Sequence, residues 1–260
     1  MSLTTINPSD GNTLKTYAEL DGSAIEACIE KSQAAFEEWR RIEFSHRAAL
    51  LKKASRILIE NRDRYARRMA LEMGKPIRDG RGEIEKCAWG CDYYAENAEN
   101  MLKPEPVATD AQKSVVTFQP LGVTLAVMPW NYPFWQVFRY AAPALMAGNT
   151  ILLKHASNVC GCALDIETVF QAAGYPEGVF QTLLIGSRRV PTVLETPLLK
   201  AVTLTGSKAA GQAVAAQAGR ALKKSVLELG GIKESGYGRE LSHYGIKEFV
   251  NIKTVVVDSF

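Results

Sequence analysis

Hydrophobic positions over the first hundred residues recur at helical spacing. After an extended entry over residues 1–22, apolar side chains fall three or four positions apart, as one face of an amphipathic helix requires. Ser23 is the expected N-cap of a first helix, and Ser45 is that of a second helix, which Gly74 and Pro76 end. A third helix follows, and the three inner faces carry Ile25, Cys28, Ile29, Ser32, Phe36 and Trp39; Leu50, Leu51, Ala54, Ile57, Leu58, Tyr65 and Met69; and Ile84, Cys87, Ala88, Cys91, Tyr94, Ala98 and Met101. Stripes this regular predict a layer of helices that packs on a larger body.

Two segments rich in β-forming residues follow a linker marked by Pro104 and Pro106. Residues 114–118 and 122–127 are separated only by a short segment that contains Pro120. This spacing predicts a hairpin or a pair of adjacent strands.

From residue 124 onwards, short apolar runs alternate with helical stretches. The runs cover residues 124–128, 150–153, 179–185, 201–205 and 225–229, and the helical stretches cover 133–147, 158–173, 187–196 and 207–220. Continuous apolar strands that alternate with helices predict an α/β fold with a doubly wound parallel sheet. Because the crossovers are right-handed, the carboxyl ends of the strands meet at one edge, where ligands bind in such folds.

Small and polar residues follow each predicted strand at this edge. They are Trp130 and Asn131, Lys154 and Ser157, Gly186 and Ser187, Gly206 and Ser207, and Glu228, Gly230 and Gly231. One lysine, one carboxylate and several small residues suit a nucleotide. The stretch from Gly206 to Gly211 opens a helix, and glycine together with a helix amino end favours a phosphate. A plain strand-to-helix turn explains that stretch equally well.

Asn131 lies in a turn with two prolines, between an apolar strand and a helix. Its carboxamide offers two donors and one acceptor, so a fixed Asn131 is able to stabilise a developing oxyanion. The alternative is an asparagine that only caps the next helix.

Composition narrows the class of protein. The chain has 260 residues, a net charge of +3, 47% hydrophobic and 23% charged residues, as in ordinary globular proteins. Its charges are interspersed and no apolar run is long enough to span a bilayer, so we expect neither nucleic acid nor membrane as a partner. The first residues show no signal pattern, and we expect a cytoplasmic protein.

The cysteines and histidines do not form a catalytic or metal-binding pattern. The five cysteines lack partners at ligand spacing, so we predict no metal site and expect reduced, mostly buried thiols. His46, His155 and His243 are scattered, and none is predicted to be a catalyst.

Several motifs, in order along nearly the whole chain, resemble those of the aldehyde dehydrogenase superfamily. They are Pro129-Trp130-Asn131-Tyr132-Pro133, residues 143–150, Lys154, Thr205-Gly206-Ser207, Leu227-Glu228-Leu229-Gly230-Gly231 and residues 231–240. The variant over residues 154–158 and the ending over residues 240–255 look most like bacterial succinate-semialdehyde dehydrogenases. The resemblance implies a Rossmann-like cofactor-binding fold with an N-terminal helical layer and a β arm for oligomerisation.

The resemblance also implies roles for individual residues. Asn131 holds the oxyanion, Glu228 is the general base, and Arg139 and Trp135 line the substrate pocket. Arg139 would pair with a substrate carboxylate, and the alternative is a surface arginine. The implied cofactor-binding residues are Trp130, Lys154, Ser157, Gly186, Thr205, Gly206, Ser207, Glu228 and Leu229.

Ser157 decides the expected cofactor. Many relatives carry a glutamate three residues after the lysine, where it binds the ribose hydroxyls and repels a 2′-phosphate. Here that position is the neutral Ser157, and Lys154 supplies a positive charge nearby. We therefore expect NADP as the preferred nicotinamide dinucleotide and NAD as the second choice.

One part of the family pattern is absent from this sequence. Relatives carry a catalytic domain with a nucleophilic cysteine after the Leu-Glu-Leu-Gly-Gly motif, whereas here Gly230-Gly231 runs directly into Ile232. We therefore predict that the catalytic domain is missing at residues 230–232 and that the chain does not oxidise aldehydes. Succinate semialdehyde would be a substrate only of the intact parent.

We expect four parts in the chain, and two hypotheses for its function. The division is 1–112 as the helical part, 113–127 as the β arm, 128–231 as the cofactor-binding core and 232–260 as a segment that completes the arm. The first hypothesis is the NADP-binding portion of an aldehyde dehydrogenase, and the second is a non-catalytic module that self-associates through the arm as a homo-oligomer. A third interpretation is that the sequence omits residues of a longer parent.

Overall fold

The computed structural model describes residues 2–230 and 234–258. Gly231, which two motifs share, and residues 232–233 at the predicted junction lie outside the described residues. The described strands are β1 Ser2–Ile6, β2 Thr13–Ala18, β3 Glu105–Pro106, β4 Lys113–Pro120, β5 Val123–Met128, β6 Thr150–His155, β7 Phe180–Thr182, β8 Leu199–Gly206, β9 Lys224–Leu229, β10 Gly236–Tyr237 and β11 Val250–Val257. The described α-helices are α1 Gly22–Trp39, α2 Phe44–Glu60, α3 Arg62–Met73, α4 Ile77–Met101, α5 Trp135–Met146, α6 Cys160–Ala173, α7 Val190–Glu195, α8 Lys208–Arg220 and α9 Ser242–Lys247.

A six-stranded sheet forms the centre of the protein, in the order β10-β9-β8-β5-β6-β7. All its neighbouring strands are parallel except β10, which runs antiparallel to β9. Side chains of β5 alternate between two apolar cores, since Leu125 packs with α1, α7 and α8 and Ala126 packs with α2 to α6. The predicted doubly wound α/β sheet is confirmed.

The helical layer differs from the prediction at its starts. Asp21, not Ser23, caps α1, because the Asp21 carboxylate accepts the Ala24 N–H at 2.9 Å and the Ser23 hydroxyl at 2.8 Å. The predicted cap at Ser45 is also wrong, since α2 begins at Phe44 without a side-chain cap. At the start of α1, the Asp21 carboxylate accepts both donors at once, so Asp21 rather than Ser23 is the cap.

The second predicted helix is two helices. The helix is interrupted at Asn61, whose side-chain amide donates to the Ile57 carbonyl at 3.0 Å, and α3 then starts at Arg62. Gly74 ends α3 in the left-handed region with φ of 76°, as predicted.

The predicted pairing of residues 114–118 with 122–127 is wrong. β4 pairs over eight residues with β11 and over two residues with β3, in a separate three-stranded sheet. β5 lies between β6 and β8 in the central sheet, and Gly122, with φ of 133°, joins the two sheets. The buried strand β5 belongs to the parallel core, whereas the more exposed β4 belongs to the arm. Residues 123–127 are therefore part of the central sheet.

No helix among the described residues combines the length and apolar character needed to cross a membrane.

Two buried glutamates of the helical layer cap the amino ends of α5 and α6, two helices that connect strands of the central sheet. Glu83 of α4 accepts the Phe134 N–H at 2.8 Å and the Trp135 N–H at 2.9 Å, at the start of α5. Glu72 of α3 accepts the Gly161 N–H at 2.8 Å and the Cys162 N–H at 2.9 Å, at the start of α6. Each carboxylate satisfies two of the unpaired N–H groups of a helix amino end and complements its dipole.

Lys75 completes the first of these caps. Its ammonium forms an ion pair with Glu83, and both side chains are buried. The same ammonium lies 3.8 Å from the centroid of the Tyr132 ring. The Lys75–Glu83 pair therefore ties the helical layer to the turn that carries Asn131.

Glu83→Ala is expected to lower the free energy of unfolding by about 3–5 kcal/mol, because it leaves Lys75 buried and unpaired. Glu85→Ala on the same helix is the matched control. Glu85 pairs with Arg62 at the surface, so its loss is expected to cost less than about 1 kcal/mol. Urea denaturation of both variants measures this, and equal losses would contradict the assignment.

Candidate functional site

A cleft of about 420 Å³ opens at the carboxyl edge of the central sheet. Its lining residues are Pro129, Trp130, Asn131, Gln136, Thr205, Gly206, Ser207, Glu228, Leu229 and Gly230. Seven of the predicted site residues line this one cleft: Trp130, Asn131, Thr205, Gly206, Ser207, Glu228 and Leu229. The ends of β5, β8 and β9 therefore bring the predicted edge residues together.

Asn131 is exposed in the turn between β5 and α5. Its side-chain oxygen accepts the N–H of Tyr132 at 3.2 Å, and the first N–H groups of α5 go to Glu83 instead. The capping alternative for Asn131 is therefore wrong. Its role as an oxyanion donor stays a prediction.

Lys154 is the second-last residue of β6, next to Val127 of β5 in the sheet register. Its side chain is only 8% exposed, and no described residue forms a hydrogen bond or an ion pair with its ammonium. Burial lowers the pKa of Lys154. An ammonium at the sheet edge without a partner among the described residues has three donors for an anionic or hydroxyl-bearing ligand.

Ser157 and Gly186 lie beyond the ends of the two neighbouring strands. Ser157 opens a short 3₁₀ turn that leads into α6, and it is half-buried. Gly186 follows β7 and is also half-buried, and a Cβ there would lie 2.9 Å from the Glu19 carboxylate. The two residues extend the same sheet edge past Lys154.

The amino end of α8 differs from those of α5 and α6. The Ser207 hydroxyl accepts the N–H of Ala210 at 3.3 Å. No described carboxylate accepts a backbone N–H of this first turn, although the Lys208 side chain donates to Glu234 at 2.6 Å. Gly206 ends β8 directly before it. Among these three helix ends within the described residues, that of α8 is the one left open to an anion.

Arg139 lies in a buried network rather than at the surface. Its guanidinium pairs with Glu228 and lies 3.0 Å from Glu240, and it donates to the Thr205 hydroxyl at 2.9 Å. Its side chain is 9% exposed, so the alternative of a surface arginine is wrong. Burial raises the pKa of Glu240, although Arg139 opposes the shift. The substrate role of Arg139 stays a prediction, and in this structure the guanidinium binds carboxylates of its own chain.

Trp135 lies on the other side of the Asn131 turn. Its ring is buried, with the Lys86 ammonium 4.2 Å from the ring centroid. It lines a second pocket, which Asn131 and Tyr132 also border. The predicted substrate residues Trp135 and Arg139 do not line the 420 Å³ cleft.

Two functional contacts were not predicted from the sequence. Glu83 was missed because it lies 51 residues from the turn that it holds. His155 was set aside as scattered, yet its ring is buried and its Nε2 lies 2.9 Å from the Pro133 carbonyl oxygen. Its position directly after Lys154 was the available signal.

His155 is neutral in the folded protein. Burial lowers the pKa of His155 from 6.5 to about 4, although its contacts with the carbonyls of Pro133 and Met128 oppose the shift. The ring is therefore an uncharged link between β6 and the Asn131 turn.

The cysteines lie away from the cleft lining. Cys87, Cys91, Cys160 and Cys162 are buried, Cys28 is half-buried, and all five are free thiols. Burial raises the pKa of Cys160 to about 11 and shifts the pKa of each other cysteine upwards as well. The described residues also contain no group of three or more potential metal ligands.

The chain belongs to the aldehyde dehydrogenase family, whose model matches residues 1–232. This confirms the resemblance. A probable succinate-semialdehyde dehydrogenase (NADP(+)) of Synechocystis is 51% identical over 231 residues, which are 89% of this chain and 51% of that protein. A succinate-semialdehyde dehydrogenase (NADP(+)) of Mycobacterium leprae is 48% identical, over 89% of this chain and 51% of that protein.

Solved structures show the same fold. Succinic semialdehyde dehydrogenase from Streptococcus pyogenes, in complex with NADP+, superimposes with a TM-score of 0.85 at 35% identity, over 88% of this chain and 50% of that chain. The chain thus spans about half the length of the curated relatives and of this solved structure.

Acid is expected to destabilise the protein through His155. Because its pKa is about 4 when folded and 6.5 otherwise, the unfolded chain binds the proton more readily. The contribution of neutral His155 to the free energy of unfolding is fully present above pH 6.5 and is lost as the pH falls towards 4. The loss amounts to about 3 kcal/mol.

The measurement is the free energy of unfolding of wild type and His155→Gln across this pH range. The variant is expected to lose less stability in acid, because glutamine does not take up a proton. The raised pKa values of Glu72, Glu167 and Glu240 affect wild type and variant alike, so they cancel in the comparison. His46→Gln, at an exposed histidine, is the matched control. Parallel curves for wild type and His155→Gln would contradict the prediction.

Proposed function

We propose that this chain is the NADP(H)-binding portion of an aldehyde dehydrogenase, whose intact form oxidises succinate semialdehyde to succinate. Lys154 at the sheet edge carries the proposal, because its ammonium forms no hydrogen bond or ion pair with a described residue. The names of the Synechocystis and Mycobacterium leprae relatives support NADP(+), and the Streptococcus pyogenes structure contains NADP+.

The helix amino ends support one direction for the bound dinucleotide. Glu72 and Glu83 already occupy the starts of α6 and α5, and a carboxylate there repels a phosphate. Gly206 and Ser207 at the start of α8 are left for the pyrophosphate. Lys154, with its ammonium unpaired, is left for the adenosine ribose.

Ser157 supports NADP over NAD. The neutral Ser157 hydroxyl, three residues after Lys154, is able to donate a hydrogen bond to a 2′-phosphate, whereas a carboxylate at that position repels it. NAD remains the second choice, since the proposed contacts with the pyrophosphate do not depend on the 2′ substituent.

Wild type is expected to bind NADP more tightly than NAD. Ser157→Glu should lower the affinity for NADP by about tenfold or more and leave that for NAD within a few-fold, since an added like charge costs over about 1.4 kcal/mol at short range. Ser45→Glu adds the same charge at an exposed position of α2 and should change neither affinity. Calorimetric titration measures the constants for both cofactors, and tighter binding of NAD by wild type would overturn the cofactor preference.

We further propose that the chain is catalytically inactive. Thiol catalysis needs a thiolate next to the oxyanion donor, and no cysteine lines the cleft that holds Asn131 and Glu228. The family match ends at residue 232, and the chain spans about half of each of these relatives.

Purified chain with succinate semialdehyde and NADP is therefore expected to form no NADPH above a heat-unfolded control. An intact mass of 28.5 kDa must accompany the assay, since it shows that the tested polypeptide is this sequence. Turnover at that mass would overturn the proposed inactivity without touching cofactor binding.

The second candidate function is a non-catalytic module that self-associates through the arm. β11 is the edge strand of the three-stranded sheet and presents Ile252, Val255, Val256 and Val257 at 41–58% exposure. An exposed apolar edge strand is a template for pairing with another chain.

Replacing Ile252 and Val256 together by lysine is expected to shift the protein towards monomer, because it places charge on the exposed apolar strand. Ile59→Lys, at an exposed position of α2, is the control. Sedimentation velocity at matched concentrations distinguishes the species. An unchanged assembly in the double variant would rule out the arm as the interface.

A further inference from the structure

The ring of His155 joins the two segments that the proposed cofactor site needs at once. We propose that His155 is a positioning residue that fixes the Asn131 turn relative to Lys154, so that both halves of one dinucleotide meet their partners together. This inference rests on the proposed function, because it assumes that Lys154 meets the adenosine half and that the Asn131 turn borders the nicotinamide half.

The contacts of the ring define its protonation. Nε2 lies 2.9 Å from the Pro133 carbonyl oxygen, which only accepts, so Nε2 carries the hydrogen and donates. Nδ1 lies 2.9 Å from the Ala156 nitrogen, whose N–H it accepts when it has no hydrogen, and 3.2 Å from the Met128 carbonyl oxygen. The tautomer with the hydrogen on Nε2 serves Pro133 and Ala156, and the Met128 carbonyl still accepts the Ala156 N–H at 3.0 Å.

The two ends of this link belong to different parts of the site. His155 lies directly opposite Met128 in the register of β5 and β6, and Lys154 lies opposite Val127. Pro133 is two residues after Asn131 in the turn that follows β5. The imidazole therefore fixes the exit of that turn to the strand end that carries Lys154.

The bond to Pro133 has no substitute in the described structure. No other described donor reaches the Pro133 carbonyl oxygen, and the ring is only 5% exposed. Glu83 holds the next two N–H groups, those of Phe134 and Trp135. His155 and Glu83 thus hold the carbonyl and the N–H of one peptide group, that between Pro133 and Phe134. Of these two side chains, His155 is the one that lies on the lysine strand.

Two substitutions separate the two ring contacts. The glutamine side chain in His155→Gln places an amide N–H near the former Nε2 and retains the donor to Pro133. The asparagine side chain in His155→Asn places its oxygen near the former Nδ1 and retains only the acceptor for Ala156. The probes are NADPH and adenosine 2′,5′-bisphosphate, which has the adenosine and 2′-phosphate but lacks the nicotinamide half.

We expect His155→Asn to bind NADPH about tenfold more weakly, the cost of one hydrogen bond, and to bind the bisphosphate with unchanged affinity. His155→Gln should match wild type for both probes. A purely structural role would weaken both probes together, so this split, with rescue by glutamine, identifies positioning. Thermal unfolding of each variant accompanies the titrations.

Nitrogen NMR of the wild-type imidazole provides a test that does not depend on variant folding. Protonated Nε2, with a signal that shifts on addition of NADPH but not of the bisphosphate, supports the proposal. Protonated Nδ1 overturns it, as do unchanged NADPH binding by His155→Asn and equal loss of both probes. Failure of wild type to bind either probe would instead overturn the proposed function, and this inference with it.

Discussion

Two buried carboxylates determine how the carboxyl edge of the central sheet is built. Glu83 and Glu72 are both buried, and each accepts two backbone N–H groups. The helical layer thereby caps the amino ends of α5 and α6. Burial raises the pKa of Glu72, although the two N–H groups it accepts oppose that shift. The location of the Asn131 turn and of the turn at Ser157 therefore depends on helices that are remote in the sequence. At the start of α8, by contrast, the cap is the Ser207 hydroxyl, which accepts the N–H of Ala210.

Residues after the predicted junction pack against the same edge of the central sheet. β10 pairs with β9, and Glu240 approaches Arg139, which also binds Glu228. A single guanidinium thereby holds two carboxylates at the sheet edge. The residue implied to be the general base is thus in an ion pair within the chain.

Sequence reasoning succeeded where a signal is local and periodic. The alternation from residue 124 onwards defined the parallel sheet, and Gly74 marked the end of α3. It failed for the pairing of β4, whose partner β11 lies about half the chain away rather than in the next strand. Family motifs located Asn131 and Lys154, but motifs do not reveal which distant side chain holds them. Glu83 and His155 required the structure, because a cap or a link between segments is a tertiary contact without a sequence period.

A crystal structure of the chain with bound NADPH is the most direct test of this account. It should place the pyrophosphate at Gly206 and Ser207 and the 2′-phosphate beside Ser157 and Lys154. The carboxylates of Glu72 and Glu83 should remain on the starts of α6 and α5. A pyrophosphate at either of those two helix ends, or a cofactor bound away from the sheet edge, would contradict the account.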